Sequence, residues 1–223
     1  MQAAALAGLA QSMAPRLRDV HPLSALRPEE DVFLFRDTGM LAVPVAAPGY
    51  LRWLQKADPA PGYQTYRRHL QALLHDRPER RAVLKSPFHL GGLAALLEEL
   101  PEAMVVQTHR DPAVALASWC SLAAVLGNTF SEQVDLAALG RRWLDFWAIE
   151  MDRALVARAA ADPARVQDVA YEALVADPLG EVEHLYARQA NGDPSRASAG
   201  GGGGGVLVWW VSGSGGRTGA GRR

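Results

Sequence analysis

The sequence predicts an α/β protein, a parallel sheet flanked by helices and rich in helix. Three observations carry that expectation. Short apolar runs end at Lys85, at His109 and at Val169. A longer segment with helical periodicity follows each of them. Strands that alternate with helices must run parallel, because each crossover helix returns the chain to the same end of the sheet and covers one of its faces.

The elements follow in order. Met1 to Pro15 is Ala-rich, with Leu6, Leu9 and Met13 at helical spacing. A secretory leader carries its basic residues first, whereas Arg16 and Arg18 come after this apolar part, so a helix and a cytoplasmic protein are expected. The acidic Glu29-Glu30-Asp31 precedes Val32–Phe35, which fits a helix opened by acids or a short strand. Prolines bracket a short segment at Tyr50 to Lys56, and Tyr63 to His75 is an amphipathic helix. Ala82-Val83-Leu84 reads as a buried strand stopping at Lys85. His89 to Leu100 carries a leucine stripe and reads as a helix. Ala103 to His109 is a second strand, and Asp111-Pro112 opens a further helix with a capping acid and a first-turn proline. Asp135 to Ala160 is a long helix with Trp143 and Trp147 on one face. Arg165 to Val169 is a third strand. Helix resumes at Tyr171, breaks at Asp177-Pro178 and runs on to about Arg188.

Composition divides the chain. Of 21 glycines, 12 lie from Gly192 onward, so 1–191 is expected to be one domain and 192–223 a Gly-rich, disordered low-complexity tail. Val206–Val211 followed by Gly213 to Gly219 has the outline of a strand and phosphate loop, but it lacks GK[ST] and leaves no room for a helix, so that reading is rejected. The abrupt change after Gln189 is what out-of-frame translation of a GC-rich gene produces, an expectation that the coding DNA tests. The single Cys120 excludes an internal disulfide, and no metal motif is present. A formal net charge of -1 gives no footprint for nucleic acid. The apolar runs fall short of a membrane span.

Ligands of open parallel sheets sit at the C-terminal ends of the strands. That rule selects Lys85-Ser86, His109-Arg110 and Ala170-Tyr171. Lys85 is one of two lysines against 21 arginines, and its ammonium suits a phosphate or sulfate oxygen as well as a solvated strand end. Ser86 could donate to the same anion. Arg110 stands before a helix whose first N–H groups are unpaired, an anion site by geometry, though an ion pair with Asp111 fits equally. Ser118 follows two helical turns later and could add a hydroxyl or simply pack. His89 is a candidate general base or a capping or core histidine. His109 is read as structural, and Cys120 as core.

The segments Val83-Leu84-Lys85-Ser86-Pro87-Phe88-His89-Leu90, Thr108-His109-Arg110-Asp111-Pro112 and Asp168-Val169-Ala170-Tyr171-Glu172-Ala173-Leu174 together resemble the bacterial sulfotransferase family, over roughly Ala14 to Gln189. The resemblance implies a P-loop, nucleotide-kinase-like fold. It also implies transfer of a sulfonyl group from 3′-phosphoadenosine 5′-phosphosulfate (PAPS) to a hydroxyl or amine of a small molecule, without a metal. On that resemblance Arg110 and Ser118 hold the donor's 3′-phosphate and Tyr171 contacts adenine. Lys85 stabilises the departing phosphate, and His89 or Glu30 is the base. The family opens with a strand and phosphate loop that nothing before Ala14 matches, and this chain runs into glycine where the family continues. Very slow transfer or none is therefore expected. The alternative is a non-catalytic nucleotide-binding or interaction protein using the remaining 3′-phosphate site.

Overall fold

A computed structural model of the chain describes residues 12–21, 24, 29–40, 47–77, 80–131, 133–192 and 206–211, together with Gly8. Four strands form one all-parallel sheet: β1 Ala82–Lys85, β2 Met104–His109, β3 Val166–Ala170 and β4 Val206–Val211, in the order β1-β4-β2-β3. The first three coincide with the predicted strands. The fourth corrects the expectation of a wholly disordered tail. Val206–Val211 is an inner strand, bonded to β1 on one side and to β2 on the other. Its glycine-rich surroundings set the composition of the tail as a whole. The six residues themselves are β-branched, aromatic or leucine, the signature of a buried strand. Most of the helix expected over Met1–Pro15 and the Gly213–Gly219 segment lie outside the described residues.

The helices are α1 Leu17–Val20, α2 Pro48–Lys56, α3 Ala60–Leu74, α4 Leu93–Glu99, α5 Pro112–Phe130, α6 Leu136–Ala160, α7 Tyr171–Ala176 and α8 Pro178–Gly192. The ambiguous Val32–Phe35 segment is a 3₁₀ helix, Asp31–Thr38, closed by Gly39 at φ 72°. The helix expected from His89 starts later. A 3₁₀ turn, Pro87–His89, comes first, and α4 begins only at Leu93. The delay belongs to Gly91 and Gly92, poor helix formers, whose α-carbons lie against the side chains of Glu150 and Tyr63.

Capping explains several boundaries. The carboxylate of Asp111 accepts from the N–H groups of Ala113 and Val114, and that of Asp135 from Ala138. The guanidinium of Arg165 donates to the carbonyls of Leu97, Leu100 and Ala103, fastening the end of α4 and the turn that follows it.

Neighbouring residues of β2 build opposite faces of the sheet, as the two-residue strand period requires. Val105 packs with Leu84, with Leu93, Leu96 and Leu100, and with Tyr63, Tyr66 and Leu70 of α3. Val106 packs on the other face with Val169 and Leu185. A separate aromatic cluster joins α5 to α6 through Trp119, Trp143, Phe146 and Trp147, with Phe88 against it and Cys120 at its margin. One composition reading needs amending. Pro112–Thr129 of α5, with mean hydropathy 1.3, is long and apolar enough to cross a membrane. In the fold, that stretch places Trp119 and Ala123 in the aromatic cluster and Leu122 against Ala14 and Leu17.

Candidate functional site

All four strands are parallel, so their C-terminal ends share one edge of the sheet, and the predicted site residues lie there. His109 is paired with Ala170, which puts Arg110 and Tyr171 side by side, one residue beyond the ladder. The guanidinium of Arg110 lies 4.6 Å from the centre of the Tyr171 ring, a cation–π contact that orients both groups. Asp111, the acid considered as Arg110's ion-pair partner, instead caps α5. Ser118 is half-buried on α5. At the rise of an α-helix it stands about 12 Å along the axis from Arg110.

The β2 and β3 ends are braced from α6. The two terminal nitrogens of Arg158 each donate at 2.8 Å to an oxygen of Asp168, and Nη1 also bonds the Gln107 side chain. The hydrogen bond from Arg158, above all, holds the Asp168 carboxyl below the usual carboxylate range. His109 bonds the same carboxylate, which gives it the structural role expected of it.

Lys85 ends β1. It is opposite Trp209, which is in turn opposite Val106, three residues before His109 on β2. Two strand spacings across and three residues along separate Lys85 from the end of β2 by roughly 14 Å. The cations at Lys85 and Arg110 therefore suit two anionic ends of one extended ligand rather than a single phosphate. The Lys85 ammonium is paired with the carboxylate of Glu30, immediately before the Asp31–Thr38 helix.

Two candidates lie inside the protein. Ser86 is fully buried, and its hydroxyl accepts from the N–H of Phe88 at 3.3 Å, closing the turn after β1. His89, also fully buried, has both ring nitrogens engaged: Nδ1 with the Tyr63 hydroxyl at 2.9 Å and Nε2 with Asp31 Oδ2 at 2.8 Å. These are the surroundings of the core histidine that was the other reading of His89.

Sequence reasoning missed the rest of this network. The Tyr66 hydroxyl donates to the same Asp31 oxygen. Burial, chiefly, holds both phenols in their protonated form, well above the usual tyrosine range. For Asp31, burial is the largest influence and opposes ionisation. Attraction to the imidazole and the bonds from His89 and Tyr66 together outweigh it, and the carboxyl lies below its ordinary value. The available signal was Tyr63 and Tyr66, three residues apart on the buried face of α3, since a buried phenol needs a polar partner. Among the described residues, no group of three or more His, Cys, Asp or Glu is arranged to hold a metal.

Comparison with known proteins adds to this geometry. A family model described as the sulfotransferase family matches residues 2–189. The omega-hydroxy-beta-dihydromenaquinone-9 sulfotransferase Stf3 of Mycobacterium bovis, and its counterpart in Mycobacterium tuberculosis, are 28% identical over 190 residues, 80% of this chain and 49% of theirs. The crystal structure of sulfotransferase STF1 from M. tuberculosis H37Rv superposes with a TM-score of 0.71 at 32% identity, covering 88% of this chain and 56% of that one. Sulfotransferase STF9 from Mycobacterium avium gives a TM-score of 0.64 at 26% identity, covering 81% and 50%. The chain spans about half the length of the curated relatives it matches.

Proposed function

The chain belongs to the sulfotransferase family, and we propose that it transfers a sulfonyl group from PAPS to a hydroxyl or amine of a small-molecule acceptor. One observation supports the assignment of parts: Lys85 with Glu30, and Arg110 with Tyr171, stand apart at the same edge of the sheet. Arg110 and Ser118 would take the 3′-phosphate and Tyr171 the adenine. Lys85 would face the 5′ end, where the S–O bond breaks.

In the transfer, an acceptor oxygen or nitrogen forms the new bond to sulfur. The electron pair of the broken S–O bond leaves with the 5′-phosphate, as adenosine 3′,5′-bisphosphate. Lys85, with three donors on one nitrogen, can keep Glu30 and still meet the charge growing on that oxygen. Glu30 replaces His89 as the group that accepts the acceptor's proton, because it is the carboxylate at Lys85. The Stf3 relatives are named for an omega-hydroxy compound, which supports screening hydroxyl acceptors first.

Calorimetry with adenosine 3′,5′-bisphosphate tests the reading. Arg110→Ala is expected to weaken binding by about 10- to 100-fold, the worth of hydrogen bonds to a charged group. Lys85→Ala is expected to leave that affinity within a few-fold and, where wild type transfers, to abolish even slow transfer from labelled PAPS. Equal affinity in wild type and Arg110→Ala defeats the assignment.

A further inference from the structure

Asp31 touches neither strand end, yet it is the point on which the buried network converges. We infer that Asp31 is a positioning residue, clamped by Tyr66 and His89 so that the neighbouring Glu30 meets Lys85. The inference rests on the proposed reading for its purpose, but its geometry is independent of any transfer.

Asp31 opens the 3₁₀ helix Asp31–Thr38, and Glu30 is the residue just before it in extended backbone. The other contacts of this helix lie further along. The Leu34 carbonyl bonds His69 Nδ1 at 2.8 Å, and Asp37 lies 3.8 Å from His69 Nε2. Those bonds hold the later part of the helix to α3, and at its beginning the polar contacts of the Asp31 side chain join the burial of Val32. That side chain reaches two elements at once. Oδ2 takes the Tyr66 hydroxyl from α3 and His89 Nε2 from the turn that follows β1. The turn is continuous with Lys85 through the buried Ser86. Asp31 thus ties Glu30 to the piece of backbone that carries its partner.

The contacts form a chain that leads to Asp31. The Tyr63 hydroxyl is bonded to His89 Nδ1, His89 Nε2 to Asp31 Oδ2, and the Tyr66 hydroxyl donates to the same oxygen. The second Asp31 oxygen, Oδ1, is buried and has no hydrogen-bond partner among the described residues. The network thus meets the carboxylate at one oxygen, where α3 and the turn after β1 come together.

The protein has two lysines, Lys56 and Lys85, so reductive methylation with ¹³C-formaldehyde places few signals in an NMR spectrum. Lys85→Arg assigns the Lys85 signal, and Glu30→Gln marks its position once the ion pair is gone. Asp31→Asn is expected to move the Lys85 resonance at least half-way to the Glu30→Gln position. Affinity for adenosine 3′,5′-bisphosphate should stay within twofold. Where wild type transfers, kcat should fall at least tenfold with little change in the KM for PAPS. A Lys85 resonance that stays at the wild-type position in folded Asp31→Asn overturns the inference, as does a Glu30→Gln spectrum identical to wild type. If Asp31→Asn does not fold, Tyr66→Phe and His89→Gln each remove one of the bonds to Asp31. Movement of the Lys85 signal in the same direction supports positioning, and no movement in either refutes it. A wild-type protein that neither binds bisphosphate nor transfers defeats the proposed function and leaves the resonance to decide this inference separately.

Discussion

Asp31 carries a dependence on pH whose sign follows from its surroundings. An unfolded Asp ionises near pH 3.9, and the folded carboxyl ionises below its ordinary value. A depressed folded value stabilises the protein above the unfolded value, and the benefit is lost as the pH falls through the folded one. Asp31→Asn should therefore cost about 1–3 kcal/mol near neutrality, the scale for disturbing a buried charged hydrogen bond. The gap in Tm between wild type and variant should be flat from about pH 5 to 8 and should close below about pH 4. A gap that widens in acid contradicts the assignment. At this scale, part of the site was legible. Lys85, Arg110 and Tyr171 stand out as candidates because each lies at or just past the end of a run of strand, a property of a few neighbouring residues. The burial of His89 could not be read in this way. Tyr63, Tyr66 and Asp31 surround it, brought together from positions 23 to 58 residues away.

The turn between β1 and α4 is where packing overrules periodicity. The leucine stripe from Leu90 to Leu100 reads as one helix, but a Cβ on Gly92 would lie 2.6 Å from the Tyr63 ring, and one on Gly91 would lie 1.4 Å from Glu150 Oε2. The two clashes differ in kind. The carboxylate of Glu150 is the far end of a flexible side chain and can swing aside. The Tyr63 ring is buried, stacked edge-on against Phe35 and bonded to His89. Gly92→Ala should destabilise the protein by about 1–3 kcal/mol, as overpacking of a closed core does. Gly91→Ala should cost less, and chemical denaturation of the pair decides the order. Reversed costs would show that Glu150, not Tyr63, is the rigid partner. The elements that local pattern predicts well are those with an uninterrupted stripe and a cap, such as α5 behind Asp111 and α6 behind Asp135. Where a glycine answers to a side chain on another element, pattern alone cannot see the boundary.

The whole molecule depends on a strand that composition disguises. Among the described residues, β1 pairs only with β4, and β2 reaches β1 through β4, so the last described segment joins the Lys85 end of the candidate site to the Arg110 end. The lengths of sequence on either side of this strand hide it, because its role shows only once β1 and β2 stand on its two flanks. Val208 is opposite Leu84 on one side and Val105 on the other. A proline there removes a ladder N–H and crowds the neighbouring backbone in an inner strand, a place proline does not tolerate. The β2–β3 pair keeps its own ladder and the Arg158 brace, so the damage should be unequal. In Val208→Pro, hydrogen exchange should accelerate strongly at 82–85 and much less at 166–170. On the proposed assignment of Arg110 to the 3′-phosphate and Lys85 to the 5′ end, bisphosphate affinity should then suffer less than transfer. Unchanged protection at 82–85 would mean that β1 holds its place without β4, and the two ends of the site would then be joined through the helices instead.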